Sequence, residues 1–157
     1  MKTVEIVRQI SALKSVLRSS GHHPSNKPLE MMSHWAKYAC VIEAGIVENI
    51  VRSIYGVVAT KQSTPRVANF AKAQLEGVQN PKSDRLIKIA SSFDRKWGQD
   101  LEEFLMQNFR RDAVNAVMSN RHLIAHGRNC NITVAQVSLY LTKIEEVAEY
   151  IEQQCGI

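Results

Sequence analysis

The sequence predicts an all-α protein, a bundle of about five to seven helices forming one domain over residues 1–157. Three observations carry that expectation. Apolar residues recur at spacings of three and four along most of the chain. Helix-start and helix-stop residues punctuate those runs, notably Thr64-Pro65, Gly127 and Thr133. No segment sustains the alternation of apolar and polar residues that a strand requires, and neither an internal repeat nor a low-complexity tract occurs. At 157 residues, 45% apolar and 22% charged, the chain is large enough for one real core.

Val4, Ile6, Val7, Ile10, Leu13 and Leu17 fall on a helical repeat, so roughly residues 3 to 19 form a first amphipathic helix that stops at Ser19-Ser20-Gly21. Gly21 to Asn26 follows as a loop holding His22-His23, adjacent imidazoles with no third ligand nearby and therefore surface residues rather than a metal site. Pro28 suits a first helical turn, and Trp35, Ala39, Ile42, Ile46, Ile50 and Ile54 continue from it, predicting a central core helix to about Ala59. Its small residues Ala39, Cys40, Ala44 and Gly45 allow close approach of a neighbour. Two acids, Glu43 and Glu48, interrupt it among apolar residues; Glu48 stands four before Arg52, the spacing of an intrahelical ion pair.

Thr64-Pro65 is an N-cap with a first-turn proline, opening a helix through Val67, Phe70, Ala71 and Leu75. Asn80-Pro81 repeats that signal before Leu86, Ile87 and Ile89, and Phe93, Trp97, Leu101, Phe104 and Leu105 continue at helical spacing across Gly98. A sixth segment from about Phe109 to His126 turns Ala113, Val114, Ala116, Val117, Leu123 and Ile124 inward and closes at Gly127. Thr133-Val134-Ala135-Gln136 reads as a capping box opening the last helix. That helix has Val137, Leu139, Leu141, Ile144, Val147 and Ile151 inside, and Glu145, Glu146, Glu149 and Glu152 outside.

The apolar runs are too short and too charged to span a membrane, and the first residues carry no apolar export segment, so a cytoplasmic protein without membrane association is expected. Cys40, Cys130 and Cys155 are odd in number and lack metal or redox spacing, which suits buried thiols in a reducing compartment. The formal charge is +5, and residues 61–130 hold 12 Lys/Arg against 7 Asp/Glu, while 131–157 hold 1 against 4. A basic middle of this kind can attract a polyanion.

Reactive chemistry concentrates in Ser119-Asn120-Arg121-His122-Leu123-Ile124-Ala125-His126-Gly127-Arg128. His122, His126 and Cys130 follow at intervals of four, but Gly127 should end the helix before Cys130 and no acid completes the set, so no metal and no cofactor are expected. Arginine with histidine suits phosphate instead. A guanidinium holds phosphoryl oxygens in a fork, and an imidazole moves protons at neutral pH, a pair able to cleave RNA through its own 2′-hydroxyl without a metal. Arg121 and His126 are five apart, about 140° around a straight helix. Convergence therefore needs a long reach from Arg121, a distorted last turn, or a second copy of the chain.

The stretch from Arg121 to His126 resembles the R-x4-H hallmark of HEPN domains. The resemblance covers about residues 30 to 155: Trp35-Ala36-Lys37-Tyr38-Ala39, Glu43-Ala44-Gly45-Ile46-Val47-Glu48 with Arg52, Val67-Ala68-Asn69-Phe70, Phe93 with Trp97, and Ile132-Thr133 sit where the RiboL-PSP type would place them. It implies a HEPN-like bundle that forms a homodimer, two motifs lining a shared cleft, and in active members a metal-independent endoribonuclease. Related domains occur in toxin-antitoxin, abortive-infection and other phage-defence systems, so an antitoxin or defence-system partner protein is implied beside RNA. By position, His126 is general base or acid, Arg121 the phosphate clamp, Asn120 and His122 neighbours that position RNA or orient the motif, and Glu48 a supporting acid. Two copies of His126 could divide proton removal and proton delivery between them. Two other readings stand beside the enzyme: a non-catalytic RNA-binding or protein-interaction module, and a purely structural domain in which Arg121 and His126 serve the helix C-terminus.

Overall fold

The computed structural model describes residues 3–21 and 29–157. The His22-His23 pair and Pro28 lie outside them. Seven continuous helical segments make up the bundle among the described residues, and no strand occurs there.

Helix α1 spans Val4–Gly21 and buries Ile6, Ile10, Leu13 and Leu17, while Val4 and Val7 face solvent. Helix α2 (Leu29–Ile50) passes without a break through a π-helical turn, Val51–Tyr55, into α3 (Gly56–Gln62). The continuous rod thus outruns the expected end at Ala59. Val51, Ile54 and Tyr55, at i, i+3 and i+4, are all buried on the inner side of this turn. This rod is the spine: α1, α7 and α8 pack on α2, and α4 lies on α3 and the π turn.

Helix α4 is Pro65–Glu76, with Thr64 at the N-cap position and Pro65 in the first turn. It buries only Ala68 and Leu75, leaving Val67 and Phe70 exposed. Helix α5 is Ser83–Phe93 and opens two residues later than Asn80-Pro81 suggests. Asn80 is in the left-handed region (φ 48°), so it turns the chain instead of capping the helix.

The run from Leu86 to Leu105 is two helices, because Asp94 interrupts it. Its backbone is extended and its carboxylate accepts from the N–H groups of Lys96 and Trp97, capping α6 (Arg95–Leu105). Helices α5 and α6 fold into a tight hairpin whose contact point is Gly98: a Cβ there would lie 1.7 Å from Ser91 Oγ and 2.8 Å from Ser91 Cβ. Phe93 stacks on Tyr55, and Phe104 on Tyr150, so these aromatics are half-buried flanks of the core rather than free rings.

Helix α7 (Arg110–Ala125) and helix α8 (Val134–Gln154) complete the bundle. Thr133 and Gln136 form the expected capping box. Two positions of α8 depart from the expected faces. Leu139 is exposed, and Glu152 is buried, where its carboxylate accepts the Thr3 N–H at 2.7 Å and ties the first helix to the last. No helix among the described residues is long and apolar enough to cross a membrane.

Candidate active site

The final turns of α7 carry the Arg121–His126 motif. Val114, Val117 and Met118 anchor the inner face of the helix, so the residues that follow are presented at a fixed end of the bundle. The helix closes on Gly127 in the left-handed region (φ 64°): the Gly127 N–H donates to the Ile124 carbonyl at 3.1 Å and the Arg128 N–H to the Leu123 carbonyl at 2.9 Å. These two bonds form a Schellman closure, which only glycine adopts without strain. His126 sits at the C-cap with φ −97° and ψ 12°, off the helical path. The straight-helix angle between Arg121 and His126 therefore does not hold at the last residue.

Arg121 is half-buried, and among the described residues no hydrogen bond or ion pair occupies its guanidinium. His122 and His126 are exposed, with ring centroids 4.4 Å apart and planes tilted by 59°. The i, i+4 spacing gives this contact directly. Asn120 turns the other way: its Oδ1 accepts from the Cys130 thiol at 3.3 Å, clasping the loop after Gly127 back onto α7. The motif thus holds two exposed imidazoles in contact, His122 and His126, a half-buried Arg121, and a strut of Asn120 and Cys130.

Cys130 is buried and does not join the two imidazoles. Among the described residues no three His, Cys, Asp or Glu side chains gather as metal ligands would. All three cysteines are free and buried. Cys40 is pushed up to about 12 by burial, with Glu43 and Cys130 adding to the effect, and Cys155 to about 11 by burial. Neither is a reactive thiolate at neutral pH.

Glu48, the supporting acid of the resemblance, is bound within the chain by Asn80 and Arg52. One carboxylate oxygen accepts the Asn80 N–H at 2.7 Å and the other lies 3.5 Å from Arg52. Arg52 in turn donates to the Val78 carbonyl at 2.9 Å. The pair spaced four apart on the rod fastens the α4–α5 connection, and no hydrogen bond or ion pair joins Glu48 to Arg121 or His126 among the described residues. The other acid, Glu43, is wholly buried with neither oxygen partnered, and burial raises its carboxyl well above the ordinary value. The core thus favours its neutral form, near Cys40 and Tyr140.

An all-helical bundle ending one helix on an R-x4-H motif defines a HEPN domain. The chain belongs to the RiboL-PSP-HEPN family, whose model matches residues 2–156. No curated protein and no solved structure matches it.

Proposed function

We propose that the protein is a metal-independent endoribonuclease of the HEPN type, a toxin or phage-defence effector that cleaves RNA in a cleft shared by two copies. The observation that supports this best is the state of Arg121. Half-buried at the end of α7, its guanidinium has no hydrogen-bond or ion-pair partner among the described residues, and the same turns carry two exposed imidazoles in contact, His122 and His126. A fork of donors left open next to proton carriers suits a phosphodiester.

The helix end argues against a merely structural motif. The carbonyls of His122, Leu123 and Ile124 accept backbone N–H groups from His126, Arg128 and Gly127, so three of the four terminal carbonyls are satisfied without a side chain. In the proposed reaction Arg121 grips the phosphoryl oxygens and stabilises the charge that builds on them, while His126 moves a proton. Asn120 and its bond to Cys130 hold the motif in shape. A partner protein that silences the enzyme would do so by covering this open face.

Incubation of the pure protein with RNA in EDTA tests the proposal. Cleavage leaving 2′,3′-cyclic phosphate ends, lost in Arg121→Ala and His126→Ala, is the expected result. A salt-sensitive shift without cleavage would support an RNA-binding module instead, and neither outcome a protein scaffold.

A further inference from the structure

We propose that the cleft between α4 and α5 binds a small amphipathic anion, a molecule with one acidic head and an apolar body; this does not rest on the ribonuclease reading above. Helix α4 packs on α3 and the π turn, while α5 packs on α6 and α7. Between them lies a cavity of about 550 Å³ with the buried Val58 and Ala59 of α3 as its floor. That volume falls in the ~300–1,000 Å³ range of small-molecule pockets.

The α4 wall is apolar. Val67, Phe70 and Ala71 stand at i, i+3 and i+4, one face of the helix. Val67 is 55% and Phe70 68% exposed, so the fold itself leaves this face open. An apolar face left open along a cavity is the mark of a ligand groove.

The α5 wall sets the charge of the occupant, because its character changes along the helix. Arg85 and Lys88 line the first half, Ile89 and Phe93 the second. The two cations are three apart and therefore neighbours on one face. Neither side chain has a hydrogen-bond or ion-pair partner among the described residues, and no Asp or Glu is among those lining the cavity. Asp84, the acid next to Arg85 in the chain, is taken by Arg111 at 2.7 Å. Two unopposed cations at one end of an apolar trough fit a carboxylate, for which a guanidinium offers a fork of donors. The body behind that head lies against Ile89, Phe93 and Phe70.

The walls also limit the size of the occupant. Val67 to Leu75 on α4 and Arg85 to Phe93 on α5 each run little more than two turns, about 12 Å. A small molecule fits that length, whereas a partner protein needs a specific interface of about 800 Å² a side. The cleft is remote from the motif. Helix α7 runs antiparallel to α2: the Cys40 thiol donates to the Val117 carbonyl, while Asn115 accepts the Ser83 N–H next to the bond between Glu48 and Asn80. The Arg121–His126 turns therefore lie towards the start of α2, and Val58 lies about 27 Å along the rod from Cys40 in the other direction. A ligand in the cleft leaves the motif uncovered and adds packing to α4, which buries only Ala68 and Leu75.

Calorimetric titration of the full chain with dodecanoate and with dodecylamine, the same chain length carrying the opposite charge, tests the assignment below their micelle-forming concentrations. Dodecanoate should bind saturably, once per chain, raise the melting midpoint and slow amide exchange in α4. Dodecylamine should bind at least about tenfold more weakly, the worth of one charge-assisted contact. Arg85→Ala combined with Lys88→Ala removes two exposed, unpaired side chains, so the midpoint without ligand should hold while dodecanoate weakens at least about tenfold and dodecylamine does not. Phe70→Ser should weaken both amphiphiles. Equal affinity for the two, undiminished dodecanoate binding in the double variant, or no saturable binding each overturns the proposal. A helical peptide of leucines and glutamates that binds where dodecanoate does not would assign the cleft to a partner protein, and a dimer that Phe70→Ser dissociates in sedimentation equilibrium would assign it to a second copy; both results overturn the proposal as well.

Discussion

Glu48 holds Asn80 across the bundle: a carboxylate oxygen on the central rod accepts the Asn80 N–H at 2.7 Å, and Asn80 turns the chain with φ 48°. The bond fixes where α5 begins, because Pro81 and Ser83 follow immediately and are buried. Glu48→Ala should lower stability by about 1–3 kcal/mol, since it strands a half-buried N–H and leaves Arg52 with only the Val78 carbonyl and the distant, exposed Glu76. Glu48→Gln, which keeps an acceptor for Asn80, should lose less. Urea unfolding of the three proteins measures the order.

Gly98 gives a sign test for packing against propensity. Alanine is favoured over glycine inside a helix by ~1 kcal/mol, so propensity alone says that Gly98→Ala stabilises α6. The α5–α6 contact says the reverse, because the new methyl would meet Ser91 Cβ at 2.8 Å and Ser91 Cα at 3.1 Å. Rotating the serine hydroxyl away relieves only the Oγ clash; the backbone of α5 must move. Net destabilisation of about 1–3 kcal/mol is expected, as for overpacked cores, and a lower melting midpoint reports it. Ser91→Gly should restore part of the loss, since the two substitutions share one contact.

These two contacts also show what the sequence could and could not reveal. The Thr133–Gln136 capping box, the Gly127 stop and the contact between His122 and His126 depend on residues within a few positions of one another, so spacing alone exposes them. The break at Asp94 does not, because Leu86 to Leu105 keeps its apolar period across the two helices and one capping aspartate looks like any surface acid. Leu139 is exposed and Glu152 buried, the reverse of what their spacing suggests, for a related reason. A helical wheel orders residues around an axis, but whether an edge position is covered depends on the neighbour, and Thr3 covers Glu152. The bond between Asn80 and Glu48 is equally hidden, because Asn80 lies in a turn that no periodicity marks.

Glu43 makes stability fall with rising pH. Burial raises its folded-state carboxyl well above the ordinary glutamate value of 4.5. In the unfolded chain the group gives up its proton near that ordinary value, so above it the folded protein binds the extra proton and unfolding releases it. Stability from this group is then highest below about pH 4.5 and declines as pH climbs towards the raised value. Glu43→Gln cannot ionise, so its stability relative to the parent should increase from pH 5 to pH 8. Urea midpoints of both proteins across that range measure the difference, and subtracting them cancels the titration of every shared group. Parallel curves would show that the carboxyl ionises in place without penalty.

Arg121→Lys separates charge from geometry at the candidate site. Lysine keeps the positive charge but presents a compact ammonium, so a two-pronged grip on phosphate is lost. Cleavage should drop by about 10-fold or more, roughly the worth of one charge-assisted hydrogen bond, with the unfolding midpoint unchanged because no hydrogen bond or ion pair among the described residues uses this guanidinium. Equal rates for arginine and lysine would reduce Arg121 to a general electrostatic attractor, and RNA affinity would then show the salt dependence of that role.

Mixed dimers decide how the proton-transfer work is shared. If two copies of His126 split acid and base between them, a dimer of one parent chain and one His126→Ala chain lacks half of every site and should be inactive. If His122 and His126 of one chain supply both, the same dimer keeps one complete set and should cut at about half the parental rate, a factor of two being less than 1 kcal/mol of barrier. Chains bearing two different affinity tags, co-expressed and purified through both, give the mixed species free of either homodimer. A cleft shared by two copies predicts the first outcome, and half the parental rate would rule out a division of the work between two copies of His126.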